Sequence, residues 1–593
     1  MTSSPKMKKF SLAACTAVFL LVLPVFAYPL VWEKLWAGAV PLWGEVQLVS
    51  PQVFGLCALS AVLLFPGRLG RIWAVARLRL LLVFAAAGVC VAGLQQLLYG
   101  GPPELICTAG FYFFLPIAGA VFSNELKRFF PLFAAALFPP VLAVTCRAAD
   151  FSGWAGNWNW NFSLLAVTFS GCFFAVPGWS VRRAGLAALL CITIALVVFS
   201  CFHPDIAPRG TFAGIIGATA AVLVFRNIMP ARRWAFALWA GALTLVLFIG
   251  STGRMFDSIR DSRFQLWRGS FDFLLANFPL GAGPDRFESM VLPYLPEIYY
   301  FTPFAAARHP HPHNELFSYA AGYGLVGAVF FVMLLLCVLR GIRFRDRVGL
   351  WLGWTVLLLA IHGQFDVLLG VPLTGGWFLL GAGAVAAGGV TRASGPVRPR
   401  PAKIPLLLAG TAGFLAAALM AVNLCLSTVC LRRARLLLME KKTSEARKYL
   451  AESLKHHVTP AALYTAGAVE FFDFRDPDGA VGLLERIPLE TGLPLVYHSN
   501  ALLARAYAVK GDFAKSIKYF DAELANYPFS ATASGLRLSV LRRMGADSQS
   551  IAKENARFAA LMKMRGLDIG DFPQLLRNQE LDDGPLKTGG GGQ

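Results

Sequence analysis

Apolar runs about the length of a membrane span, ~20 residues, recur from Phe10 to Leu424 between short basic interruptions. The pattern predicts about thirteen spans, starting near Phe10, Gln47, Leu78, Glu104, Phe129, Ser163, Ala184, Gly210, Trp234, Leu316, Gly349, Pro372 and Ile404. After Leu426 charges fall at helical spacing and no spanning run remains. The predicted fold is therefore all-α. A polytopic transmembrane helical bundle occupies 1–426, a helical domain 427–575, and a tail disordered by its glycines 576–593. One polar loop, 251–315, is too long to lack structure. Within Asp261 to Asn277, the residues Phe264, Trp267, Phe271, Phe273 and Leu274 lie close to helical spacing. They predict an interfacial helix, followed by a tight turn at Pro279-Leu280-Gly281-Ala282-Gly283-Pro284.

Charge supplies the orientation. The chain is 56% apolar and 15% charged, with mean hydropathy +0.58. Its net charge of +20 would suit a nucleic acid if it formed one face. Instead Lys and Arg occupy alternate short loops, which makes the bilayer the partner and excludes nucleic acid. Lys6, Lys8 and Lys9 hold the N-terminus inside, and Arg68 to Arg79, Lys127-Arg128, Arg182-Arg183, Arg226 to Arg233, Arg340 to Arg347 and Arg392 to Lys403 follow on that side. The expected location is the bacterial inner membrane, with the large loop and the C-terminal domain in the periplasm. Arg432, Arg433 and Arg435 break the rule, unless the last helix continues out of the membrane. The first run has two readings, a retained span or a signal peptide cut after Val25-Phe26-Ala27; its extension to Trp32 favours the span. The eleven Cys lie mostly in apolar runs with no C-x-x-C, as small buried hydrophobes.

In the C-terminal domain, Leu503, Ala504, Tyr507, Ser516, Phe520 and Pro528 follow tetratricopeptide spacing, with a helix break at Lys510-Gly511-Asp512. Ser516 and Glu523 stand where that pattern has a small Ala. Weaker copies fall at Ala446–Pro460, Pro477–Pro494 and Ser534–Ala559. Such repeats must stack to bury their apolar faces. The stack serves either as a groove for a protein partner or glycan, or as a structural cap.

No Walker lysine motif, nucleotide-binding Gly-rich loop or acidic metal cluster is present, which argues against an ATP-driven pump. Spans nearly free of charge, without an internal repeat, argue against a secondary transporter. Polar residues gather at the outer ends of spans: Gly156-Asn157-Trp158-Asn159-Trp160-Asn161, His203-Pro204-Asp205 through Arg209-Gly210, and Gln364-Phe365-Asp366. The densest group is Arg308-His309-Pro310-His311-Pro312-His313-Asn314-Glu315. Asn314 starts a helix and would fix the ring of His313, a side chain suited to proton transfer near neutral pH. A solvated loop histidine is the plain alternative. A zinc site from His309, His311 and His313 is the other, weakened by prolines that impose a threefold path. Arg209, Arg263 and Arg268 carry guanidinium groups suited to phosphate oxygens; snorkelling to lipid headgroups is the alternative role.

From Gly156 to Asp366 the sequence resembles the O-antigen ligase and polymerase superfamily. The resemblance rests on Gly156-Asn157-Trp158-Asn159 before a span, Arg209-Gly210 opening another, Arg263-x-x-x-Trp267 leading to Pro279-Leu280-Gly281-x-Gly283, and His313-Asn314 before the glycines 322, 324 and 327. Pro208 stands where the family commonly has Ser, and many members lack the repeat tail. The resemblance implies a glycosyltransferase using an undecaprenyl-diphosphate-linked glycan donor and a glycan or lipid A-core acceptor. It implies no cofactor and metal-independent inverting displacement. His313, Arg209 and Arg263 would be catalytic; Arg268, His311, Asn314, Asn157 and Asn159 would bind substrate. The alternatives are a polymerase, a protein O-oligosaccharyltransferase, and, from another class, a polysaccharide transporter or a non-catalytic scaffold.

Overall fold

The computed structural model describes residues 11–26, 50–100, 104–147, 158–202 apart from 177, 209–225 and 262–301 apart from 285. It further describes 311–388 apart from 344–345, 367 and 370–371, and 404–571 apart from 494, 496–497 and 565–567. Among the described residues all regular structure is helical. Every predicted span start within them coincides with a helix or its first turns; the starts near Phe10, Gln47 and Trp234 lie outside the described residues. Among the described residues four helices can cross a membrane by length and composition: Ala76–Tyr99, Glu104–Val121, Glu315–Gly341 and Ile404–Met439. A fifth crossing arises if Pro51–Leu64 and Pro66–Trp73, bent by 88°, count as one. Pro66 explains that bend, because it lacks a donor and pushes Phe65 out of the helical region (φ −124°, ψ 56°). Two shorter apolar helices, Arg347–His362 and Pro372–Ala386, are largely buried. From Leu373 to Ala386 every residue is buried. Backbones approach closely there because Gly119 faces the Leu380 carbonyl and Gly383 faces that of Pro116.

Basic residues at one end of the bundle have structural partners. Arg77 donates to the Ala386 and Gly388 carbonyls (both 3.1 Å), and Arg347 to those of Phe173 and Val176 (both 2.8 Å). These carbonyls end helices and lack intrahelical donors, and a cation also suits the negative end of the helix dipole.

At the other end one helix is broken and repaired from outside. Within Glu315–Gly341, Tyr323 (φ −133°, ψ 15°) and Gly324 (φ 60°, ψ −143°) leave helical geometry. In an unbroken helix the Ala321 and Gly322 carbonyls would accept from residues 325 and 326. Here they accept from the N–H groups of Ala282 (2.8 Å) and Gly283 (3.1 Å), while Leu325 N–H donates to the Pro279 carbonyl (2.9 Å). Gln95, from the Ala76–Tyr99 helix, donates to both Leu280 (2.7 Å) and Gly322 (2.9 Å). The proline–glycine turn thus supplies the partners that the break removes, as apolar surroundings demand. Gly281 (φ 73°) and Gly324 meet at the contact, and a Cβ on Gly324 would overlap the backbone of Pro279 and Leu280.

The large loop contains a helix, Ser262–Ala276, matching the predicted one. Leu266 and Phe273 bury with Phe287, Tyr299 and Tyr300, whereas Phe264, Phe271 and Leu275 are exposed. Past the bundle, Ile404–Met439 runs unbroken for 36 residues, ~54 Å at helical rise. That exceeds the ~30 Å of a hydrocarbon core, so Arg432, Arg433 and Arg435 ride on its continuation, where Ala434 and Leu437 bury against Ala446 and Leu450. Seven helices follow, from Thr443–His456 to Ser548–Met564, each packed on the next. The predicted break appears as Ser499–Lys510, left-handed Gly511 (φ 81°), capping Asp512, then Phe513–Asn526. The two polar positions in that stretch are buried and bonded: Ser516 donates to Ala504 (2.8 Å), and Glu523 accepts from Ala501 N–H (3.3 Å) and contacts His498 Nδ1 (2.5 Å).

This domain sits on the loop. Arg286, 1% exposed, donates to carbonyls of Gly492 (3.0 Å), Ala282 (3.3 Å) and Gly100 (2.6 Å) and lies 5.0 Å from the Tyr99 ring. Tyr300 donates to the Asn526 carbonyl (3.2 Å) and packs on Phe529. Loop and C-terminal domain therefore share one side of the bundle.

Gly324→Ala should cost about 1–3 kcal/mol or more, since only glycine holds that backbone easily and the new methyl meets backbone. Gly322→Ala, where a Cβ meets nothing within 4 Å, should be nearly neutral. Thermal unfolding in detergent checks both; equal losses would contradict the interlock.

Candidate functional site

The predicted cluster before Leu316 is organised by three consecutive residues. Asn314 is extended (φ −155°, ψ 121°) and caps the helix, accepting from Phe317 N–H (3.0 Å). Its amide also donates to the Gln364 carbonyl (3.2 Å). Glu315 N–H donates to the Gly363 carbonyl (2.8 Å). His313, at φ 50°, is one of the few non-glycine residues in the left-handed region. This conformation accompanies its Nδ1 contact of 3.3 Å with Asp366 Oδ1. Asp366 is buried and His313 partly exposed. His311 lies alongside, its ring perpendicular to that of His313 with centroids 5.1 Å apart.

The loop helix approaches the same place. Trp267 packs on Phe365 (6.4 Å between ring centroids) and on Phe264 (5.4 Å). Arg263, one turn before Trp267, is near enough for its charge to act on Asp366. Burial alone would raise the Asp366 carboxyl. The His313 hydrogen bond, joined by the positive charge of Arg263, outweighs burial and holds it well below the ordinary carboxylate range. Arg268 lies on an exposed position of the same helix.

Arg209 opens the helix Arg209–Phe225. Its neighbour Gly210 abuts the His362 ring so tightly that a Cβ would overlap the imidazole. Ser163 Oγ lies 2.6 Å from His362 Nδ1 and 3.0 Å from Thr211 Oγ1. These contacts lock the helices that begin at Trp158 and Arg209 onto His362, directly before the loop that carries Asp366. The side chains of Arg209 and Asn159 lie outside the described set, and Asn157 and His309 lie outside the described residues altogether. Among the described residues no three His, Cys, Asp or Glu converge to hold a metal ion.

Sequence reasoning picked out His313, His311, Asn314 and Arg263, and the structure gathers them around one loop. It noted Asp366 only as an unusual loop residue and assigned no role to His362, Ser163 or Glu315. A lone His ending an apolar run, four residues before an Asp, was the available signal. Arg286 carried no signal, because its partners are carbonyls scattered from Gly100 to Gly492. Compared with family models, curated proteins and solved structures, the chain matches none.

A carboxyl held low stabilises the fold above its ordinary value, and that contribution is lost as pH falls through its folded value. Asp366→Asn should therefore lower the unfolding midpoint at pH 7, with the gap to wild type closing as pH drops below 3.8, the ordinary value. Thermal unfolding across pH in detergent measures it; a gap that widens toward acid would contradict the assignment.

Proposed function

We propose that the protein is a membrane glycosyltransferase of the O-antigen ligase type, moving a glycan from an undecaprenyl-diphosphate donor onto a periplasmic acceptor hydroxyl, a lipid A-core or related glycan. The observation that carries the reading is the contact of His313 with buried, ionised Asp366 beside Arg263. A carboxylate only accepts, so it takes the Nδ1–H and leaves the lone pair of His313 on Nε2. That nitrogen accepts the proton of the acceptor hydroxyl as its oxygen attacks the anomeric carbon. The bond from that carbon to the diphosphate oxygen breaks, the configuration inverts, and the lipid diphosphate leaves with charge that Arg263 and Arg209 offset. His311, Asn314, Arg268, Asn157 and Asn159 are the remaining donor- and acceptor-side positions. In this reading the bundle has about thirteen spans in the inner membrane. The loop and a tetratricopeptide-like domain face the periplasm, where no nucleotide-sugar pool exists and the activated sugar arrives on a lipid. The shared side of loop and C-terminal domain supports that arrangement, since four helices separate them among the described residues.

His313→Ala should lower kcat by ~10²–10⁴ while donor binding persists. Arg263→Ala should weaken the transition state by about 1.5–3 kcal/mol, with Lys a poor substitute, and Arg268→Ala should cost less. The assay is transfer of a defined glycan by purified protein, with excess chelator present. Activity in His313→Ala, or its abolition by chelator in wild type, would overturn the base assignment. A periplasm-dependent reporter should be active when fused after Tyr300 or at the C-terminus and silent after Arg343; the reverse pattern would overturn the orientation.

A further inference from the structure

We propose that Glu315 is the positioning residue of this site, a buried side chain that holds the Asp366 loop against His313; the inference rests on the transfer reading above. Glu315 is 1% exposed. Its Oε1 accepts from two successive backbone N–H groups, Leu368 and Leu369, each at 2.7 Å. Its own N–H donates to the Gly363 carbonyl (2.8 Å), and its Cγ fills the space where a Cβ on Gly363 would stand. One residue therefore grips the loop 363–369 near both ends, and Asp366 lies at the middle of the gripped segment. Thr374, donating to the Leu368 carbonyl, closes the far side.

Two adjacent N–H groups aimed at one oxygen form a small anion-binding concavity, and here the chain fills it with its own side chain. The side chain reaches that pair of N–H groups from the first position of its helix, and so keeps the neighbouring Asp366 carboxylate within hydrogen-bond reach of the imidazole. Glu315 follows Asn314 and His313 directly, so the grip on the loop and the presentation of the His ring come from one continuous piece of backbone. Glu315 touches no reacting atom; it acts through Asp366.

The test is a double-mutant cycle on the full-length protein in detergent, with glycan transfer as the assay. Glu315→Gln and Glu315→Ala should lower kcat by ~10-fold and ~10²-fold, within the range that a displaced base partner can produce, with donor KM little changed. In an Asp366→Ala background Glu315→Gln should add less than about 2-fold, because coupled residues are non-additive. The second measurement needs no activity: hydrogen exchange of a peptide covering Leu368 and Leu369 should accelerate in Glu315→Ala, which removes the acceptor, but stay at the wild-type rate in His313→Ala. Full additivity with Asp366→Ala, a KM effect without a kcat effect, or unaltered exchange in Glu315→Ala would each overturn the assignment. Wild type without transfer, or active His313→Ala, would overturn the proposed function instead, and the exchange measurement would still decide whether Glu315 grips the loop. If Glu315→Ala fails to fold, Glu315→Met, of similar length and without an acceptor, carries both measurements.

Discussion

The structure depends on a backbone exchange at the break in the Glu315–Gly341 helix. A helix in apolar surroundings can open only where other groups replace its lost hydrogen bonds. Here Pro279 to Gly283 supply them, and Gln95 ties the join to a neighbouring helix. The exchange fixes the loop helix relative to the segment that carries His313, because both arms run from the same junction. It also fixes Arg286, whose guanidinium accepts nothing and can only donate, to one carbonyl of its own turn, Ala282, and two from distant parts of the chain, Gly100 and Gly492.

From that frame the polar cluster is assembled with little freedom. Three consecutive residues, His313 to Glu315, meet the segment from Gly363 to Leu369 through side-chain and backbone contacts in register. Charge is concentrated there and offset locally: a buried carboxylate faces an imidazole, with a guanidinium nearby. The helix ends around it use the same economy, since Gly210 admits His362 where any side chain would exclude it.

The elements that the sequence revealed are those set by local physics. Apolar periodicity located the helices, Asn314 announced a cap, and Lys510-Gly511-Asp512 announced a break that Gly511 and Asp512 make in the expected way. Arg432 to Arg435 contradicted the charge rule only for a helix that stops at the membrane surface; this one continues. What stayed hidden depends on distant partners. Nothing near Gly324 says that its helix opens, because the group that makes opening tolerable is more than forty residues upstream. His362 and Glu315 read as isolated polar residues until Ser163, Gly210 and the Leu368–Leu369 amides stand beside them. The pairing of His313 with Asp366 is likewise a product of tertiary structure.

The Ile404–Met439 helix has a consequence for mechanics. Most of its apolar length is bare of protein: Leu407, Leu408, Leu415 and Leu419 are exposed, and Gly410 and Gly413 supply a close seam against Ser60. Its far end is built into the C-terminal domain, which Arg286 and Tyr300 clamp to the loop. In a bilayer that helix answers to hydrocarbon thickness by tilting, while its end is not free to follow. Lipid thickness therefore acts as a load on the loop, carried by a strut with one end in fat and the other bolted to the loop through the C-terminal domain.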